Sequence, residues 1–251
     1  MNTCYNPFSL AGKTILVTGA SSGIGRSITI ECSKMGATVI AAGRNIERLN
    51  ETLAACEGSS NSIVTGDLSN QEDIDNIVKS LPKLDGVVLC AGIGNATLIP
   101  FATPEKIRKI YDVNFFAQIE LLRLLVKKKL LVKESSVVAM SSVGGYSLFS
   151  FAHAIYGSAK AALRSFMKFA SKEFANKKIR VNSICPGMID TPLIHKGVIT
   201  EEQLKEDEKL YPLGRYGKPE DVAYCAVYLL SNAANWVTGS TFVIDGGVSN
   251  I

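Results

Sequence analysis

The strongest constraint on this chain's fold is an alternation. Seven short runs rich in β-branched residues, at 14–18, 37–42, 62–66, 86–92, 135–142, 179–185 and 241–247, alternate with segments of helical period. The helical segments are expected at 24–35, 46–56, 70–80, 104–130, 154–175 and 219–230. Several short runs, such as "TILVT", "ATVIAA" and "GVVLCAG", are apolar at successive positions, as parallel strands buried on both faces must be. Parallel neighbours joined by helices need right-handed crossovers, which stack helices on both sides of one sheet. The expectation is a single α/β domain over 1–251, a Rossmann-type doubly wound sheet of about seven parallel strands. One stretch breaks the rhythm. Residues 187–218 form a long polar connection of the kind that serves as a lid, with a short helix expected in "TEEQLKEDEKL" behind Thr200 as its N-cap.

Charge and cysteine usage narrow the function classes. A net charge of +4, from 27 basic and 23 acidic side chains, gives no warrant for nucleic-acid binding but suits an anionic ligand. The six cysteines are scattered at 4, 32, 56, 90, 185 and 225, with no C-x-x-C pair and no Cys/His cluster. That pattern favours reduced thiols, a cytoplasmic protein and no metal site. The first twelve residues lack the basic start and apolar core of a signal peptide. The apolar run "LLRLLVKKKLL" is interrupted by Arg123 and three lysines, so no membrane span is expected.

Two local patterns carry chemistry. After the first strand, "TGASSGIG" sets Gly19, Gly23 and Gly25 between strand and helix, with Ser21, Ser22 and Ile24 among them. Glycines there permit a tight turn and close approach of the backbone, and a helix N-terminus offers unpaired N–H groups to a phosphate. A tight strand-to-helix turn with no ligand would use the same glycines. The second strand then ends "AAGRN", with Gly43 where a ribose-binding acid would stand and Arg44 beside it. A guanidinium fits a ribose 2′-phosphate by charge and by its forked donors, which favours NADP(H) over NAD(H); the alternative is a solvated arginine opening a helix. The other pattern is Tyr156 and Lys160, four apart among small residues, hence on one helix face. They are either a surface pair or a proton-transfer site.

Taken in order along the chain, these motifs resemble the short-chain dehydrogenase/reductase family over about residues 10–248. The matching segments are "TGASSGIG" (18–25), "GDLS" (66–69), "AGIG" (91–94), "VN" (113–114), "SS" (141–142), "YGSAK" (156–160), "PG" (186–187) and "DGG" (245–247). The resemblance implies that Tyr156 is the general acid/base and that Lys160 lowers the phenol pKa and bonds the nicotinamide ribose. It implies that Ser142, preferred over Ser141, donates to the reacting oxygen, and that Asn114 holds a water relaying protons to Lys160. Asp67 and Leu68 would border the adenine. Ala91 and Gly92 would line the cofactor crevice, and Pro186, Gly187, Ile189 and Thr191 would border the nicotinamide. The small residues 157–159 would admit the cofactor and sheet to this turn. One departure stands out: Cys90 occupies a position where the family commonly has asparagine, and is expected to fill space as a small hydrophobe.

The substrate is less legible. Tyr146, Leu148, Phe149, Phe151 and His153 lie between Ser142 and Tyr156, as pocket wall or as interface. Met188, Leu193, Ile194 and His195 are the lid's candidates. The C-terminal segment from "YPLGRYGKPEDV" to "IDGG" looks like that of β-ketoacyl-acyl-carrier-protein reductases and their relatives. The resemblance therefore implies a small carbonyl or alcohol substrate, including a thioester on a carrier, with sugars, steroids and polyols as alternatives. Lys127, Lys128, Lys129 and Lys172 would receive an acidic carrier, or simply face solvent. A homotetramer built on the long helices is implied as well. Proteins of this fold that only sense NADP would be expected to lose the tyrosine, the lysine or the glycines.

Overall fold

The β-branched runs become strands because each is too short and too β-branched for a helix and each finds a neighbour to pair with. In the computed structural model, which describes residues 5–94, 96–192, 194–196 and 200–250, the elements run in chain order. They are β1 (Thr14–Thr18), α1 (Gly23–Lys34), β2 (Thr38–Gly43), α2 (Ile46–Ala54), β3 (Ser62–Thr65), α3 (Gln71–Ser80) and β4 (Leu84–Leu89). There follow α4 (Pro104–Tyr111), α5 (Ala117–Lys127), β5 (Leu131–Met140), α6 (Ala154–Glu173), β6 (Arg180–Pro186), α7 (Glu201–Glu208), α8 (Pro219–Leu230) and β7 (Thr241–Ile244). The sheet has seven strands in the order β3-β2-β1-β4-β5-β6-β7, every pair parallel.

Two apolar layers cover it. On one face Leu121, Leu125, Leu163 and Met167 of α5 and α6 pack on Leu16, Val87 and Val137. On the other, Ile28 of α1 and Val222 and Ala226 of α8 pack on Val17, Val88 and Val138. The strands alternate between these two layers, which is why their sequences read as apolar throughout.

The structure differs from the sequence reading in one helix. The segment expected as one helix over 104–130 is α4 and α5 joined by a π-helical turn at Asp112–Phe116, and β5 starts at Leu131, paired with Leu84. A π turn leaves the apolar period nearly intact, so periodicity cannot see it; such turns gather at functional sites. Among the described residues no helix is long and apolar enough to cross a membrane.

The connection after β6 is tethered at several points. Ile189 bridges to Gly217, and Asp190 N donates to the Gly217 carbonyl at 2.8 Å. Thr200 caps α7 as expected: Thr200 Oγ1 accepts from Gln203 N, and Gln203 Oε1 accepts from Thr200 N, a reciprocal capping box. Leu204, Tyr211 and Tyr216 form a small separate core with Met188 and Ile194 beneath it.

Candidate active site

β1 lies between β2 and β4, so the chain's winding reverses there, and a crevice opens outside the carboxyl ends of these strands. The β1–α1 turn forms one wall. Gly19 has φ +69°, and a Cβ on it would lie 2.9 Å from Ala91 Cα; the turn is pressed against the end of β4. A Cβ on Gly25 would lie 2.3 Å from the Gly19 carbonyl oxygen, so this turn accepts no side chain there. Ser22, the N-cap of α1, is extended and its side chain makes no capping bond. The amides of the first turn thus keep their donors for a ligand. Gly23 has φ +53°, and a Cβ there would be 3.1 Å from Thr191 Cγ2, which sets the start of the lid directly over the start of α1. These features fit a dinucleotide phosphate. A cavity of about 410 Å³ at this helix start is lined by Ser21, Ser22, Gly23, Arg26, Arg48 and Pro192, among others. Arg26 and Arg48 were not singled out from the sequence. Their signal is spacing: Arg48 stands four residues after Arg44, and Arg26 one turn into α1.

At the ends of β2 and β3, Arg44 Nη1 and Asp67 Oδ2 form an ion pair at 3.3 Å. The sequence reading gave these residues separate tasks. Asp67 Oδ1 accepts from Ser69 N at 2.9 Å and Ser69 Oγ at 2.7 Å. Partial burial pushes the Asp67 carboxyl up, but the Ser69 and Arg44 hydrogen bonds outweigh it and leave the pKa below its ordinary value.

The end of β4 is braced without asparagine. Thr18 Oγ1 accepts from both Cys90 N (2.9 Å) and Ala91 N (3.1 Å) and donates to the Val88 carbonyl. Cys90 packs against the apolar layer of α1 and α8, and burial pushes its thiol up to about 11, so it stays neutral. Gln118, buried at the start of α5, donates to the carbonyls of Ala91 (2.8 Å) and Val113 (3.1 Å). The sequence reading missed it; an amide inside the apolar run "FFAQIELL" was its signal.

Asn114 sits in the π turn, fully buried. Its Nδ2 donates to the carbonyls of Ile93 and Ile110, each at 3.0 Å, and its Oδ1 accepts from Ile93 N at 3.3 Å. Both amide hydrogens are therefore spent on protein. A Cβ on Gly92 would lie 2.7 Å from Asn114 Oδ1 and 3.3 Å from Lys160 Nζ, so both atoms stand close against this glycine, where a side chain would collide.

Ser142, Tyr156 and Lys160 come together at the end of β5. Ser142 is extended and its Oγ accepts from Gly144 N at 3.1 Å, leaving its hydroxyl hydrogen free. Ser141 points elsewhere, donating to the Lys160 carbonyl. Tyr156 keeps part of its surface open, yet burial of the phenol is the largest influence and raises its pKa to about 12, against a lowering hydrogen bond with Ser142. Lys160 is 4% exposed; its Nζ donates to the Met140 carbonyl at 2.8 Å and stands 5.8 Å from the centre of the Tyr156 ring. Burial lowers its pKa to about 8. Burial therefore moves both groups away from their charged forms, and the ammonium lies over the ring of Tyr156.

The small residues of "YGSAK" also answer to a neighbour within the chain. A Cβ on Gly157 would lie 2.4 Å from the Gly144 carbonyl oxygen, and one on Gly145 would lie 2.6 Å from Ala161 N. The turn that follows Ser142 presses on α6 here, and Ala159 packs with Ile110 and Ile155. Gly157→Ala should therefore push that turn off the helix. We expect a loss of about 1–3 kcal/mol of stability, read by urea unfolding, and a fall in turnover as Ser142 moves from Tyr156.

Around this cluster, Tyr146 stacks on Arg164, whose Cζ is 4.6 Å from the ring centre. Phe149 and Phe151 are exposed, and His153 Nδ1 bonds the Phe151 carbonyl at 2.8 Å. In the lid, His195 Nε2 pairs with Asp190 Oδ1 at 2.7 Å; Leu193 lies outside the described residues. Ile189 is buried, and Gly187 N donates to the Ile244 carbonyl at 2.9 Å, tying the Pro186–Gly187 corner to β7. Among the described residues no group of three or more His, Cys, Asp or Glu is arranged to hold a metal ion.

Comparison with known proteins agrees with this architecture. The family model described as enoyl-(acyl carrier protein) reductase matches residues 19–249. The 3-oxoacyl-(acyl-carrier-protein) reductase FabG of Rickettsia prowazekii (strain Madrid E) is 36% identical over 239 residues, covering 95% of this chain and 98% of its own length. The protein of the same name from Thermotoga maritima is 32% identical over 245 residues, with coverage of 95% and 98%. Among solved structures, the Pseudomonas aeruginosa RhlG/NADP active-site complex superposes with a TM-score of 0.90 at 28% identity, covering 98% of this chain and 100% of that one.

Proposed function

The chain belongs to the short-chain dehydrogenase/reductase family and is an oxidoreductase; from that premise we propose that it reduces a carbonyl to a secondary alcohol with NADPH, and runs the reverse with NADP. The reading rests on one observation above the others: Ser142, Tyr156 and Lys160 share one cluster beside a glycine turn able to take a dinucleotide phosphate. The dinucleotide, when bound, supplies the hydride. Tyr156 gives its proton to the carbonyl oxygen as the hydride reaches the carbonyl carbon, and Ser142 donates a hydrogen bond to the same oxygen. A phenol of pKa about 12 is wholly protonated at neutral pH, which suits the reductive direction. Lys160 returns a proton to Tyr156, and the closeness of Asn114 Oδ1 and Lys160 Nζ to the same glycine, Gly92, supports a proton relay between them.

Arg44 supports NADP(H) over NAD(H), since its guanidinium stands at the end of β2 with no acid at Gly43. Arg44→Ala should weaken NADPH binding about tenfold or more and NADH binding little, as read by fluorescence titration; equal weakening would refute the contact. The relatives named as 3-oxoacyl-carrier reductases support a 3-oxoacyl thioester as substrate. Lys127, Lys128, Lys129 and Lys172 are exposed at the ends of α5 and α6, where they could meet an acidic carrier but already complement the helix dipoles. Phe116, Phe166 and Phe169, apolar yet exposed, support a homotetramer built on the same helices, and the scattered reduced cysteines support a cytoplasmic setting.

The deciding experiment is initial-rate oxidation of NADPH and NADH with an acetoacetyl thioester, a keto sugar and an aromatic ketone. Turnover of the thioester with NADPH is the expected result. Turnover of only another carbonyl would move the substrate to the sugar, steroid or polyol classes. Tight NADPH binding without turnover would favour an NADP-sensing protein.

A further inference from the structure

The Arg44–Asp67 pair sets two proposed cofactor contacts against each other. Asp67 is fixed: Oδ1 is taken by Ser69 N and Oγ, and Asp67 N donates to Asp73 Oδ2 at 2.7 Å. Only Oδ2 is left to face Arg44, at 3.3 Å. The backbone on either side is also fixed, because Gly66 N donates to the Gly43 carbonyl and Gly43 is paired with Thr65. Arg44 therefore spans the ends of β2 and β3 at the mouth of the crevice, with two-thirds of its side chain exposed. No other acid is hydrogen-bonded to it among the described residues.

We propose that Asp67 is a specificity-determining residue for the dinucleotide, an internal competitor that a ribose 2′-phosphate must displace from Arg44. The proposal rests on the NADP(H) reading above. A 2′-phosphate entering this mouth meets a guanidinium already neutralised by a carboxylate. It must take over that guanidinium and then lie close to the Asp67 negative charge. A dinucleotide without the phosphate leaves the pair intact. Asp67 thus weakens the phosphorylated cofactor selectively and keeps the preference for it moderate. The pair is exposed, so its individual strength is small, and the repulsion between Asp67 and a phosphate adds to it in the same direction.

The test is the ratio of NADH to NADPH dissociation constants, titrated by nicotinamide fluorescence in the wild type, Asp67→Asn, Arg44→Ala and the double variant. Any contact of Asp67 with adenine is common to both cofactors and cancels in the ratio. Asp67→Asn should raise the ratio about three- to tenfold, less at 1 M salt, and should raise it by clearly less when Arg44 is already alanine, because only the repulsion is then relieved. Asp67→Ser, which also lacks the charge, should act in the same direction, and thermal unfolding checks that both variants are folded. A ratio that stays put or falls in Asp67→Asn, while Arg44→Ala still collapses it, overturns the competition and leaves the NADP(H) reading standing. A ratio indifferent to Arg44→Ala overturns both.

Discussion

Tyr156→Phe should lower the rate of carbonyl reduction about a thousandfold with the fold and dinucleotide binding intact. A positioned general acid contributes roughly 10² to 10⁴, and a thousandfold is about 4 kcal/mol of barrier. Phenylalanine keeps the ring that lies 5.8 Å from Lys160 Nζ, so packing changes little. Only the hydroxyl facing Ser142 is lost, and one hydroxyl adds about 1 kcal/mol at most to stability. The pH profile is the sharper test. With the phenol pKa pushed up to about 12 by burial, the acid form needed for reduction is saturated, and kcat/KM for reduction should be flat from pH 6 to 9. Alcohol oxidation needs the phenolate, present at about one part in 10⁵ at pH 7, so its kcat/KM should climb about tenfold per pH unit. The Phe variant should lose that slope. An oxidation profile that levels off near neutral pH in the wild type would mean that another charge in the complete site lowers the phenol pKa by several units.

The fold was legible because burial on both faces writes itself into sequence. "TILVT" and "GVVLC" have no polar face, and only a covered parallel strand tolerates that. The N-cap at Thr200 was legible because it is local. What escaped depends on partners distant in sequence or on small departures from helix geometry. Asn114 lies in a π turn whose residues have ordinary helical propensities. Gly157 answers to the Gly144 carbonyl, and nothing in "YGSAK" names that neighbour. The Arg44–Asp67 bond joins residues 23 positions apart at the ends of two strands, a pairing that neither residue's local sequence names. The grouping of Ser142, Tyr156 and Lys160 was legible by pattern, whereas the burial that raises the Tyr156 pKa was not, because desolvation is a property of the packed core and not of the i, i+4 spacing.

Lys160→Met should abolish most activity and make the protein more stable. Lys160 is 4% exposed, and within the described residues its ammonium has one hydrogen-bond acceptor, the Met140 carbonyl, and no paired carboxylate. A drop from 10.5 to about 8 corresponds to ~3 kcal/mol by which the fold disfavours the charged form. Methionine removes that penalty and fills similar volume, while leaving the Met140 carbonyl unpartnered at a cost of about 1 kcal/mol. A net gain of ~1–3 kcal/mol at pH 7 follows, measurable by urea unfolding. Its pH dependence has a definite sign. Between about pH 8 and 10.5 the unfolded chain holds the Lys160 proton and the native protein does not, so wild-type stability rises with pH across that window. Below pH 8 both states are protonated and the penalty is fully present. The advantage of the Met variant should accordingly be constant from pH 6 to 7.5 and shrink towards pH 10, with other titrating groups cancelling between the two proteins. Because Lys160 returns the proton to Tyr156 in the proposed mechanism, turnover should fall at least a hundredfold in the same variant. A Met variant no more stable than the wild type would mean that Lys160 is hydrated or paired in solution. In that case its pKa is ordinary, and its positive charge is fully available to the phenol at neutral pH.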